Sequence, residues 1–194
     1  MPKRGRFSRE RISNELQDEF EKRVTDLATQ FDTKGFRTRT FHRRFKREFQ
    51  KHTIEEAMLG AGRSLTPGEL AQLEKRMRER LERMQKFMDK VSANRIKRTP
   101  LSSKSIANQA RLYSEQGRAE FFRFAGVADA SSNTVEKWLS KGDVSTCPKC
   151  SPLNGKYFLP GKGPMPAEVC KGKGRCRCRR VQEENARIAN QLRG

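Results

Sequence analysis

Five cysteines crowd one stretch of the chain, spaced Cys147-x2-Cys150-x19-Cys170-x5-Cys176-x-Cys178. Two thiolates with two residues between them can close on one ion, and a further group about 20 residues on is the spacing of zinc ribbons. The Cys147-Pro148-Lys149-Cys150 turn therefore reads as a zinc knuckle. Four of Cys147, Cys150, Cys170, Cys176 and Cys178 are the expected ligands of a structural Zn2+, with one thiol to spare. Disulfides and unmetallated thiols are the competing readings. Disulfides need an oxidising compartment, and the basic start Met1-Pro2-Lys3-Arg4-Gly5-Arg6 runs into no apolar stretch of the kind a secretory signal has. A catalytic zinc keeps an open position and takes His or carboxylate ligands. The two histidines, His42 and His52, lie far away in sequence and are expected as surface or helix-face residues, not ligands. No Ser/His/Asp set, phosphate-binding loop, dinucleotide fingerprint or His-x-Glu deaminase pair is present. Asp129, Glu136 and Asp143 are too scattered for a nuclease centre. No catalytic residue is assigned, and no enzyme is expected.

The second chemical signal is charge. Lys and Arg number 43 against 23 acids, a formal +20 over 194 residues. Such an excess calls for a polyanion, most often nucleic acid. The stretch from Lys34 to Lys51 contains a single acid, Glu48, and that from Lys162 to Arg180 a single acid, Glu168. Arg43, Arg44, Lys46 and Arg47 in the first stretch are candidate phosphate contacts. So are Lys171, Lys173, Arg175, Arg177, Arg179 and Arg180 in the second. No run of about 18 apolar residues would span a membrane.

The elements that must carry these groups are mainly helical. Ile12, Leu16, Phe20, Val24, Leu27 and Phe31 recur at the helical period from about Ser8. Phe41, Phe45 and Phe49 form a second stripe with cations between them. Thr66-Pro67-Gly68-Glu69 is a capping box, which opens a third helix to about Asn94. Its narrow stripe (Leu70, Leu73, Met77, Leu81, Met84, Met88 and Val91) suits one partner helix. That partner is the Phe41–Phe49 helix across a Gly60–Gly68 turn, or a second copy. A fourth helix is expected over 102–124, with Ile106, Ala110, Tyr113, Gly117, Phe121 and Phe124 on one side. Residues 128–133 read as a loop, and 134–140, around the single Trp138, as a strand. Asn154-Gly155 signals a type I′ hairpin before Tyr157-Phe158-Leu159. That hairpin would return the later cysteines to the knuckle. Apolar residues are only 34% of the chain, so one large interior is not expected. The expected architecture is mainly α with a small α+β zinc-binding module. Residues 1–65 form a basic helical arm, 66–98 a long amphipathic helix, and 99–194 the C-terminal domain with the cysteines.

A resemblance emerges from Trp138-Leu139-Ser140-Lys141-Gly142-Asp143, Thr146-Cys147-Pro148-Lys149-Cys150, Leu153-Asn154-Gly155-Lys156-Tyr157-Phe158 and Cys176-Arg177-Cys178-Arg179. This order resembles the head morphogenesis, or minor head protein, family of tailed bacteriophages (minor capsid proteins of the Mu and SPP1 type). The likeness is sharp over about 138–180 and loose over about 40–125. The family's His-Pro-Asn before Cys-Arg-Cys is here Lys173-Gly174-Arg175, so Cys170 would replace the histidine as ligand. The resemblance implies a minor capsid protein inside the virion head, near the portal, in few copies. It would contact portal protein or major capsid protein, touch packaged double-stranded DNA without sequence specificity, and assist head assembly, DNA retention or delivery. The helical arm is expected to dock on portal or capsid through its narrow stripe. No membrane or small-molecule substrate is implied. A cytoplasmic zinc-ribbon nucleic-acid-binding protein is the alternative.

Overall fold

Each apolar stripe makes one helix. In the structure, a computed structural model, residues 3–34, 37–97, 103–140, 147–169 and 178–194 are described. Helix α1 spans Lys3–Lys34, α2 Thr38–Ala61, α3 Pro67–Ile96 and α4 Ser103–Ala128. Strand β1 (Thr134–Leu139), β2 (Tyr157–Phe158), the single turn α5 (Pro166–Val169), β3 (Arg179–Glu184) and α6 (Ala186–Arg193) follow. The chain is thus mainly helical with one small antiparallel sheet. No helix among the described residues is long and apolar enough to cross a membrane.

The four long helices share one core. Phe20, Val24 and Phe31 of α1 meet Phe41, Phe45 and Phe49 of α2, Met84 and Met88 of α3, and Ile106 and Tyr113 of α4. Phe31 stacks on Phe41 at 4.5 Å, and Tyr113 stands edge-on to Phe45 at 5.9 Å. Such aromatic pairs add about 0.5–1.5 kcal/mol beyond area burial. Helix α4 therefore packs with α1, α2 and α3, although its sequence lies in the C-terminal segment. A smaller cluster joins Ala57, Leu73, Met77 and Phe124.

Most of the α3 stripe is used inside the chain, with Leu70 left exposed and Leu81 half-buried. Leu73, Met77, Met84, Met88 and Val91 are all buried, so they are not available to dock on portal or capsid as expected. Helices α2 and α3 do form the anticipated hairpin, turned by Gly62 in the left-handed region (φ 67°). The capping box is complete. The Thr66 amide donates to Glu69 at 2.8 Å, and the Glu69 amide donates to the Thr66 hydroxyl at 3.3 Å.

The sheet has the order β2-β1-β3, with Trp138 fully buried on its central strand. Lys137 pairs with Tyr157 on one side and with Val181 on the other. The Asn154-Gly155 turn is not type I′. Asn154 has φ −56° and ψ 129°, Gly155 has φ 78°, and the Lys156 amide donates to the Leu153 carbonyl at 2.9 Å. Those values are a type II turn, in which only the second central residue needs positive φ. It does not double the chain back on the knuckle. Instead β2 returns to β1, and the knuckle lies in the connection between them.

Of the two places expected for His52, surface or helix face, the structure shows a helix face that is fully buried. Its ring stacks on Phe20 at 4.6 Å and fits over Gly117, where an added Cβ would stand 2.4 Å from the ring. His42 bridges α2 to α3, with Nε2 3.1 Å from Ser92 Oγ and Nδ1 3.2 Å from Gln85. Both histidines join helices.

Helices α2 and α4 touch backbone to backbone at Gly60, where a Cβ would meet the Phe121 carbonyl oxygen at 2.3 Å. Alanine normally stabilises a helix over glycine by about 1 kcal/mol. Gly60→Ala should instead destabilise by about 1–3 kcal/mol, because backbone cannot yield as a side chain does. Gly68→Ala, with nothing within 4 Å, should be neutral or stabilising. Urea unfolding of both variants checks the opposite signs.

Candidate functional site

The α2 sequence places two chemistries on one helix. Residues two apart lie about 200° round the axis, so cations inserted between phenylalanines face away from them. Phe41, Phe45 and Phe49 are wholly buried. Arg39, Arg43, Lys46 and Arg47 line an open groove on the outer side, with Thr38, His42 and Gln50. Arg43, Arg44 and Arg47 are exposed and Lys46 is half-buried. Arg39 joins them one turn before Arg43, a step legible in the spacing but not singled out from it.

The second basic group divides. Arg179 is exposed on edge strand β3. Arg180 is corrected, since its side chain is 5% exposed and cannot reach a nucleic acid. It pairs with Glu136 at 2.6 Å, and its guanidinium lies 4.9 Å from the Phe158 ring centroid. The cause is strand alternation, which turns Arg180 inward beside Glu136. Lys171, Lys173, Arg175 and Arg177 lie outside the described residues.

Sheet pairing gathers the described cysteines at one end. Leu139 pairs with Arg179, so Cys178 enters β3 beside the end of β1. The Ser140 amide donates to Asn154 Oδ1 at 3.0 Å, which ties the segment after the knuckle to the same end. The knuckle is a tight turn, with the Cys150 amide donating to the Cys147 carbonyl at 2.8 Å. Cys150 is buried, while Cys147 and Cys178 are half-exposed. Cys178 also lines a cleft of about 180 Å3 between α4 and β3, beside Arg118, Phe122 and Arg180. Among the described residues no three Cys, His, Asp or Glu side chains converge as a metal site. Cys170 and Cys176 lie outside the described residues. What the described residues show is topology: the β1–β3 register and the Ser140–Asn154 bond put Cys178 and the knuckle toward the same end of the sheet.

A buried ionic network, with no counterpart among the sequence expectations, fixes the sheet on the helices. Glu120 of α4, fully buried, accepts from Arg76 at 2.8–3.1 Å and from Arg80 at 2.6 Å. Arg80 also donates to the Gln116 carbonyl at 2.9 Å and to Glu168 of α5. Arg123 donates to both Glu168 oxygens at 2.9–3.0 Å and to the carbonyls of Gly161 and Gly163 at 3.0 and 3.1 Å. Burial alone would push the Glu168 carboxyl up. Arg123 and Arg80 outweigh it and hold the group below the ordinary carboxylate value. Arg76 and Arg80 sit one helical turn apart, which is readable. Their partners lie on another helix, which is not.

No protein-family model matches the chain, and neither a curated protein nor a solved structure matches it.

Removing one member of a buried ion group strands the others. Glu120→Gln should cost about 3–5 kcal/mol in urea unfolding. Glu168 stabilises the fold above the ordinary carboxylate pKa, and that stability is lost as pH falls through its depressed value. Glu168→Gln lacks this titration. Its stability deficit should therefore shrink as acid protonates Glu168 in the parent, and a deficit constant from neutral pH into acid would contradict the assignment.

Proposed function

We propose that this chain is a minor capsid protein of the head morphogenesis type from a tailed bacteriophage. It sits inside the head near the portal, contacts packaged DNA, and assists assembly, DNA retention or delivery. One observation carries the DNA contact: the Arg39, Arg43 and Arg47 row lies opposite a phenylalanine stripe that is wholly buried. Single-strand binders stack bases on exposed aromatic rings. Among the described residues this face offers cations and no such ring, which favours the phosphate backbone of a duplex, read without regard to sequence. The order of motifs from Trp138 to Cys178 supports placement in the head. Portal or capsid contact stays within the proposal, without the α3 stripe. The chain acts by binding and not by catalysis.

A structural Zn2+ belongs to the same proposal. Cys147 and Cys150, with ligands from the later cysteines, would close the sheet end, and site formation would be coupled to folding. Basic residues near Cys178 serve the alternative, a cytoplasmic zinc-ribbon protein, equally well.

Binding to duplex DNA fragments of unrelated sequence tests the proposal. Log affinity should fall linearly with log salt concentration, equally for every fragment. Arg43→Gln with Arg47→Gln should reduce that slope by about 0.9 for each phosphate that is no longer neutralised. An unchanged slope would remove the α2 face from the interface, and a strong preference for one fragment would favour the zinc-ribbon alternative. For the metal, Trp138 is the single tryptophan and lies on the strand that ends beside the knuckle. Chelation, or Cys147→Ser with Cys150→Ser, should shift its emission to the red and lower the unfolding temperature. Unchanged emission and melting would contradict structural zinc.

A further inference from the structure

The two halves of α1 are docked by different physics. From Phe20 to Phe31 the helix contributes Phe20, Val24, Leu27 and Phe31 to the apolar core. From Arg9 to Gln17 the anchors are polar. Arg9 donates to the Gly60 carbonyl at 2.7 Å and pairs with Asp129 at 3.0 Å. The Ser13 hydroxyl donates to Glu56 at 2.7 Å, and Arg118 donates to Gln17 Oε1 at 2.7 Å. Ile12, in this half, is 39% exposed.

Glu56 is the unusual anchor because its carboxyl is fully buried with no Lys or Arg paired to it among the described residues. Ser13 faces it from α1. From α2, His52 has its Nε2 3.9 Å from Glu56 Oε1, beyond hydrogen-bond range, and Glu55 adds like charge. From α4 come Glu115, of like charge, and the cation Arg118, whose guanidinium bonds Gln17 and lies over the Phe122 ring at 5.2 Å. Among the described residues, Glu56 Oε1 and His52 Nδ1 make no hydrogen bond. A carboxylate in such a place is costly, and a neutral acid is not.

We propose that residues 8–17 of α1 form a proton-gated latch. With Glu56 neutral the segment is shut on α2 and α4, and ionisation of Glu56 releases it while residues 20–31 stay docked. Release also frees Arg9 from Asp129 and adds its charge to a strongly basic N-terminus.

The direction in pH follows from linkage. Burial raises Glu56 from 4.5 to about 7. The closed latch holds a proton that the open latch gives up between those values. Its opening constant therefore rises about tenfold per pH unit over that window and levels off above it. Global unfolding behaves otherwise. Burial lowers His52 from 6.5 to about 4, so the unfolded chain takes up a proton on His52 while it loses one from Glu56. Between about pH 4.5 and 6.5 the two cancel, and this pair contributes no slope to global stability. Phe20 covers His52 from the docked half of α1, so latch opening leaves that histidine neutral.

Hydrogen exchange read by mass spectrometry on the full chain, near pH 5, 6 and 7 and corrected for intrinsic rates, tests this. Peptides within 8–17 should lose protection about tenfold per pH unit, while peptides within 20–31 do not. Glu56→Gln, isosteric and uncharged, should flatten the profile of 8–17. Ser13→Ala should lower protection of 8–17 at every pH and keep the slope. The proposal is overturned if the slope survives in Glu56→Gln, if it is absent from Ser13→Ala, or if 20–31 loses protection in parallel with 8–17.

Discussion

Glu120 and Glu168, held between Arg76, Arg80 and Arg123, are the interaction on which the rest of the molecule depends. Glu120 lies on α4, Arg76 and Arg80 on α3, and Glu168 on the turn that precedes β3. The network therefore crosses from the helices to the segment that feeds the sheet. Buried charges tolerate no partial arrangement, since each unpaired ion costs several kcal/mol. A chain with only 34% apolar residues can still hold a defined geometry this way, at a cost in desolvation that its pairing offsets. The same logic acts at Arg180 and Glu136, which face α4 at Gly126. Gln182 completes that contact by donating to the Gly126 carbonyl at 3.0 Å.

With the sheet fixed, charge and apolar surface separate cleanly on α2. The phenylalanine stripe is used in the core, and the arginine row is left to solvent. A helix with one face anchored by aromatic packing holds its cations in a fixed row, which suits a regular array of phosphates. Most of the α3 stripe is buried too, Met84, Met88 and Val91 in the same core and Leu73 and Met77 in the smaller cluster beside it. The polar half of α1 is the exception to this apolar anchoring, and it lies over the buried Glu56.

Much of this architecture is legible in the sequence because it is local. Phe41, Phe45 and Phe49 declare a helix by period alone, and Thr66 with Glu69 marks where the next begins. Trp138 among Thr134, Val135 and Leu139 declares a strand. What stays hidden is set by distant partners. Arg180 reads as one more cation near the cysteines, and only its pairing with Glu136 turns it into a core residue. His52 reads as a surface or helix-face histidine, and only α4, with Gly117 beneath its ring, decides for the interior. The turn at Asn154-Gly155 has the composition of two turn types, and the strand that follows chooses β1 as partner. Of the candidate metal ligands, Cys147 and Cys150 are tied by their own spacing. The place of Cys178 comes from the β1–β3 register, which no local pattern contains.

The most direct test of the central claim is mass spectrometry of purified particles from a producing culture, comparing DNA-filled heads with heads that have ejected their DNA. The account predicts peptides of this chain at a few copies per filled head. Their loss on ejection would place the protein with the travelling DNA, and their retention would place it with the portal and shell. Absence from filled particles, with the protein abundant in the lysate, would contradict a head protein.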